Sequence, residues 1–324
     1  MNEPTKTEAT CGVPALAKVA GVEECNAVIN GVRWRYLHAG GGPALLIVHG
    51  FAAYSFSWRF VIRGLARHYS VFAVDLPGCG FSERSAALPG TLASDAVGML
   101  NFMDHVGIAQ CDVLGTSRGG GAAIALAGLL AESGDRGRIR RLVLSAPINP
   151  WSRIGLFRVR LLRTRAGRIY LVRLEPRLHF ILRHLFKTLY ADPATIPPDS
   201  LAGYNAGLEP EGSYAHVWNI TRSWMTDLKR IAATLPSVEA VPALLLWGDR
   251  DAAVDPASAD ELHRRWENSV VLKIDRIGHM PYEEVPEEFN RIVLDFLLHN
   301  TPATPLQTAA PEAMAQAAVE PGGA

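Results

Sequence analysis

The sequence predicts an α/β protein with a doubly wound, mostly parallel eight-stranded sheet interrupted by one helical insertion. Three observations carry this reading. Short apolar, β-branched runs recur along the chain, each closed by Gly, Pro or Asp; helical patterns lie between most of them; and the alternation breaks once, over residues 148–235, where apolar residues recur at helical spacing.

The first two runs, "CNAVINGVRWRYLHAG", alternate about Asn30-Gly31, a dipeptide that favours a type I′ turn, so a β-hairpin opens the domain. Six further strands are expected in "PALLIVHG" from Pro43, "YSVFAVDLPG" from Tyr69, "CDVLG" from Cys111, "IRRLVLSAP" from Ile139, "VPALLLWGD" from Val241 and "SVVLKID" from Ser269. Between them, Leu92 to Val106 and Ala257 to Trp266 read as helices. The chain thus divides into an N-terminal extension (1–22), an α/β core (23–147 and 236–300), the insertion (148–235) and an Ala/Pro-rich tail (301–324) that is expected to lack order.

Composition narrows the class. With 48% apolar residues the chain can bury a large core, and Lys plus Arg equals Asp plus Glu at 32 each, so bulk charge does not point to nucleic acid. Cys11, Cys25, Cys79 and Cys111 form no CxxC pair and no cluster with histidines, so neither a metal site nor a disulfide framework is expected. The first residues lack the apolar stretch of a signal peptide, and the most apolar run, after Ser117, is broken by Gly128 short of the ~20 residues that span a bilayer. A cytoplasmic protein is the expectation, with a membrane-peripheral position as its variant.

Working groups in open α/β sheets sit at the carboxyl ends of strands. One such end, "VHGFAAYSFSW", offers backbone N–H groups to a ligand, with Phe51 the best candidate and Ala52 next. A second, "CDVLGTSRGGGAAIALAG", is a buried strand, a Gly-x-Ser-x-Gly turn and a helix, which would expose the Ser117 hydroxyl on a strained backbone. The Arg118 N–H, at the helix start, then pairs with that of Phe51 as oxyanion donors. Serine needs a base and a group to orient it. His279, in "IGHMP", is the candidate base; Asp249, Asp251 and Asp255 compete as its partner. Asp251 is preferred because Asp249 suits the turn and Asp255, before Pro256, suits a helix cap.

"VHGF", "DLPGCGFS", "GTSRGG", "WGDRD" and "GHMP", spread from Val48 to Pro281, together resemble the α/β-hydrolase fold superfamily, in its order Ser, Asp, His. The resemblance implies a cap-bearing, esterase- or lipase-like serine hydrolase. It assigns catalysis to Ser117, Asp251 and His279 and the oxyanion hole to Phe51 and Arg118, with no metal or other cofactor. It supports Asp251 through the last position of Trp-Gly-x-x-Asp, and it makes the insertion a helical cap. The arginine after the nucleophile departs from the methionine or leucine common in the family. Fluoroacetate-type dehalogenases carry an arginine there behind an aspartate nucleophile, so Ser117 argues against dehalogenase and epoxide hydrolase chemistry. Phe51, the Arg118 side chain and Trp151 are the candidate substrate contacts, Arg118 for a carboxylate unless it serves a surface salt bridge or a structural hydrogen bond. "DLPGCGFS" reads as a structural turn, with Cys79 accessible but unreactive.

The first half of the insertion, residues 151–190, carries nine arginines and Lys187 against one acid, Glu175. Leu178, Ile181, Leu182 and Leu185 fall on one side of a helix with Arg177 and Arg183 elsewhere. Such a surface either covers the active site with its arginines in water or rests on anionic lipid. The expected reaction is cleavage of a carboxylic ester or similar acyl compound through an acyl-enzyme; carbon–carbon, lactone or amide hydrolysis by the same triad, and a non-catalytic receptor for a hydrophobic ligand, are the alternatives.

Overall fold

The computed structural model describes residues 19–85, 88–178 and 180–299, excepting the side chains of residues 178 and 180–182. Most of the N-terminal extension, the Ala/Pro-rich tail and the side chains of Leu178, Ile181 and Leu182 lie outside the described residues. Eight strands form one sheet: β1 (Glu23–Ile29), β2 (Val32–Ala39), β3 (Ala44–Val48), β4 (Ser70–Asp75), β5 (Cys111–Thr116), β6 (Ile139–Ser145), β7 (Ala243–Gly248) and β8 (Ser269–Ile274). Their order is β1-β2-β4-β3-β5-β6-β7-β8. Strand β2 runs antiparallel to β1 and β4, and every other pair is parallel. The hairpin turns at Asn30 and Gly31 with φ of 50° and 78°, as a type I′ turn requires. Strands β5 and β7 are buried throughout, because helices cover both faces of the sheet.

Before the insertion come α1 (Ile62–Leu65), α2 (Leu92–Val106) and α3 (Arg118–Glu132). Helix α2 starts at Thr91, whose hydroxyl accepts from the Ser94 N–H at 3.1 Å, and stops at Gly107 with φ 78°. The insertion follows β6 with α4 (Leu156–Leu162), α5 (Arg165–Ile169), a π-helical turn (Tyr170–Leu174), α6 (Glu175–Leu178), α7 (Phe180–Thr188), α8 (Ser200–Ala206) and α9 (Ser213–Val238). The chain closes with α10 (Ser258–His263), α11 (Pro281–Glu284) and α12 (Pro286–His299). Helix α9 runs through residue 235, where the insertion was expected to end. Its Leu228, Ile231, Leu235 and Val238 are buried in the main core cluster with Ala122, Ala123 and Leu126 of α3. Each such side chain contributes about 2 kcal/mol of apolar burial, so the second half of α9 is a core helix in all but chain order.

One buried cluster ties the insertion to the sheet. Glu283 of α11, 5% exposed, receives both terminal nitrogens of Arg59 at 2.7 Å. Tyr190 and Tyr204, both from the insertion, donate to the same carboxylate at 2.5 Å each. Burial, reinforced by the neighbouring carboxylate, raises both phenols well above their ordinary range and keeps them as donors. Glu283→Gln would leave the Arg59 charge without its partner in a water-poor site. The expected loss is about 3 kcal/mol, read as a lower melting temperature in thermal unfolding.

A second contact of this kind is apolar in effect. His216 of α9 is buried with its ring against Gly78, and its Nδ1 has no hydrogen-bond partner among the described residues. Burial pulls its pKa down to about 4, against the opposing pull of Asp95 and with the help of Arg118 and Arg84. The folded state therefore binds the proton less well than the unfolded chain. The stability this histidine allows is fully present above its ordinary value of 6.5 and falls as pH drops from there toward 4. Between those limits the melting temperature should decline less steeply in His216→Phe than in the parent, as measured by pH-dependent thermal melts.

Candidate active site

The site is built where four strand ends meet. After β5 the chain reverses into α3 through Ser117, which has φ 52° and ψ −119°, a conformation that costs about 1–3 kcal/mol and lifts the side chain out of the turn. Surrounding contacts hold it there: its N–H donates to the Ser145 carbonyl at 2.8 Å, and its carbonyl accepts from the Ile148 N–H at 3.0 Å. The flanking glycines are sterically required. A β-carbon on Gly119 would lie 2.4 Å from the carbonyls of Val48 and His49, and one on Gly115 2.5 Å from the Gly119 carbonyl.

The loop after β3 brings Phe51 to the same place. His49 is buried and neutral: its Nε2 accepts from the Leu76 N–H at 3.1 Å, so its Nδ1–H donates to the Gly50 carbonyl at 2.9 Å. Burial lowers its pKa, which keeps it in that state. The ring thus anchors the loop and is spent in doing so. The N–H of Phe51 has no acceptor among the described residues, and that of Arg118, at the first position of α3, has no intrahelical one.

After β7 and β8 come the acid and the histidine. Asp251, 4% exposed, accepts from the N–H groups of Ala253 and Val254 at 2.7 and 2.9 Å on one oxygen, and from His279 Nδ1 at 2.7 Å on the other. With Nδ1 donating, Nε2 is the nitrogen left to take a proton. Of the three competing acids, Asp249 accepts from the Ile277 N–H in the turn and Asp255 from the Ala257 N–H ahead of α10, so neither is spent on His279. The His279 backbone is itself fixed, its N–H donating to the Leu189 carbonyl at 2.7 Å.

Ser117, His279 and Phe51 all line one cavity of about 250 Å³. No hydrogen bond joins Ser117 to His279 in the free protein, a looseness common in such sites before substrate binds. The far walls come from the insertion and are mostly apolar: Val159 and Leu162 of α4, Leu185 and Phe186 of α7, and Trp224 of α9. Phe51 packs edge-on against Trp224, with ring centroids 5.4 Å apart. Among the described residues no group of three or more His, Cys, Asp or Glu is placed to hold a metal ion.

Two expected substrate contacts need correction. The Arg118 side chain is buried behind the elbow, paired with Asp95 at 2.6 Å and donating to the Gly90 carbonyl at 3.0 Å, so it does not reach the cavity. Trp151 lies outside the cavity wall, packed on the core edge with the Arg265 guanidinium 4.5 Å above its ring. Cys79, expected to be accessible, is buried, which pushes its thiol up to about 12. Sequence reasoning missed Glu284, whose carboxylate accepts from the N–H groups of Gly278 and Ala191 at 2.9 Å and so joins the histidine loop to the insertion. The adjacent pair Glu283-Glu284 was its only signal.

A family model described as alpha/beta hydrolase fold matches residues 43–286. The chain belongs to that family. It is 26% identical to the uncharacterized hydrolase YugF of Bacillus subtilis over 281 residues, covering 83% of this chain and 96% of that one. It is 30% identical over 267 residues to the dihydrolipoyllysine-residue acetyltransferase component of the acetoin cleaving system of Pseudomonas putida, covering 82% and 66%. Among solved structures, that of a membrane phospholipase A superposes with a TM-score of 0.69 at 25% identity, covering 87% of this chain and 86% of that one. No helix among the described residues is long and apolar enough to cross a membrane.

Because the Arg118 guanidinium neutralises a buried carboxylate, Arg118→Met should cost stability, about 3 kcal/mol in thermal or urea unfolding. Discrimination between anionic and neutral ligands of the cavity should stay as it is.

Proposed function

We propose that the protein is a serine hydrolase that cleaves a carboxylic ester with an apolar acyl group through an acyl-enzyme. The observation that carries the reading is the Asp251–His279 hydrogen bond at 2.7 Å on the wall of the same apolar cavity that holds the strained Ser117. A hydroxyl is a weak nucleophile on its own, so attack by Ser117 Oγ on the ester carbonyl requires its proton to pass to His279 Nε2. Asp251 keeps the imidazole in the tautomer that can accept and then stabilises the imidazolium. The carbonyl oxygen becomes an oxyanion, which the N–H groups of Phe51 and Arg118 receive with help from the α3 dipole.

Collapse of the tetrahedral adduct breaks the ester C–O bond, and His279 returns its proton to the departing alkoxide. Water then adds to the acyl-serine with His279 again as base, releasing the acid. The mostly apolar walls, on which Arg158 is one of few polar side chains, suit an acyl chain, and the membrane phospholipase A is a neighbour whose name is consistent with lipid-like esters. A dehalogenase or epoxide hydrolase of this fold would need a carboxylate where Ser117 stands. Carbon–carbon bond hydrolysis remains the second reading, since the same serine and histidine serve it.

Hydrolysis of p-nitrophenyl esters from acetyl to palmitoyl tests the proposal. Turnover is expected in the parent, with a loss on the order of 10⁴ to 10⁶ in kcat for Ser117→Ala or His279→Ala and little further loss in the double variant. Absence of turnover at every chain length, in folded protein, rejects ester hydrolysis.

A further inference from the structure

Helix α4 has no buried residue, yet it is apolar on two sides. Its inner side, Val159 and Leu162, faces the cavity together with Ile154 just ahead of it. On the outer side Phe157 and Leu161, one turn apart, are 79% and 59% exposed. Ile169 and Leu174 follow at 56% and 45%, so among the described residues five of the ten exposed large apolar side chains fall within residues 154–174. The hydrophobic effect disfavours such a concentration on a surface that always meets water.

The same stretch is strongly cationic. Arg153, Arg160, Arg163, Arg165, Arg168 and Arg173 are all exposed, as is Arg158 at the edge of the cavity, and among the described residues none forms an ion pair. Several arginines elsewhere find carboxylates, as Arg138 does with Asp104 and Arg140 with Asp112. The one acid of the stretch, Glu175, is buried and bonded to the Tyr170 hydroxyl.

We propose that α4 and α5, on the outer side of the cavity wall, form a docking surface for an anionic lipid bilayer. A bilayer supplies both complements at once: phosphates for the guanidinium groups and acyl chains for Phe157 and Leu161. A nucleic acid would answer the arginines and leave those two side chains in water. A second copy of this chain would set one arginine cluster against another. The partner is chosen by charge and apolarity together, and the choice does not depend on ester hydrolysis.

The test is flotation of the full-length protein with vesicles of phosphatidylcholine alone or mixed with phosphatidylglycerol. Recruitment is expected on the anionic vesicles only, weakening on the order of tenfold between low and high salt as the charges are screened. Phe157→Ser/Leu161→Ser and Arg160→Glu/Arg163→Glu should each lose most of it. Both should keep the parent's melting temperature and its turnover of p-nitrophenyl acetate in the absence of vesicles, since none of the four residues lines the cavity. The proposal is overturned by failure to float with anionic vesicles, by equal recruitment to neutral ones, or by variants that bind as the parent does. A concentration-dependent dimer lost in these variants, without flotation, assigns the surface to a second copy instead. If turnover is absent in every form while flotation holds, the ester reading fails and the docking surface stands.

Discussion

The close approach of α3 to the end of β3 is the constraint on which the site depends. Side-chain-free backbone at residues 115 and 119 lets the elbow nest against the carbonyls of Val48 and His49, so the strained Ser117 is braced on one side by β3 and on the other by Ser145 of β6. The same nesting puts the start of α3 beside the Phe51 loop. The peptide N–H groups of Phe51 and Arg118 thereby belong to neighbouring segments from distant parts of the chain, as the proposed oxyanion hole requires.

The remaining half of the chemistry hangs from a different support. His279 stands on a loop that the insertion grips three times: at the Leu189 carbonyl, at Ala191 through Glu284, and at Tyr190 through Glu283. Arg59, reaching in from the segment after β3, completes the charge balance. The base and the cover of the cavity are therefore parts of one hydrogen-bonded unit. Its buried carboxylates tolerate burial because every one of their oxygens meets a donor.

Much of this was legible in the sequence. Parallel strands buried on both faces read as continuous apolar runs, so β3, β5 and β7 were found within a residue or two of their ends. Helix α2 was found in full from its apolar period, and the Thr91 cap and Gly107 stop seen in the structure explain why it ends where that period does. Ser117 and His279 could be singled out as candidates because each follows a strand in a glycine-containing turn, and Asp251 because Asp249 and Asp255 suit other tasks. What a single chain could not reveal was pairing through space. The partnership of Arg118 with Asp95 has no local sign, which is why the sequence left the guanidinium open between a substrate contact and a salt bridge. Glu283 and Glu284 look like ordinary acids in the first turn of a helix until the folded insertion delivers Tyr190 and Tyr204. The insertion boundary was blurred for a related reason: α9 is one unbroken helix serving two environments.

Residues 150–188 run between two fixed points, the Ile148 contact with the elbow and the Leu189–Ala191 clamp on the histidine loop. Between them Ser152 accepts from the Asp255 N–H and Phe186 packs in the core, whereas α4 and α5 meet the candidate site only through the cavity wall. The segment supplies much of that wall, so the shape of the cavity is set largely by one continuous stretch of chain that carries none of the groups proposed for the chemistry.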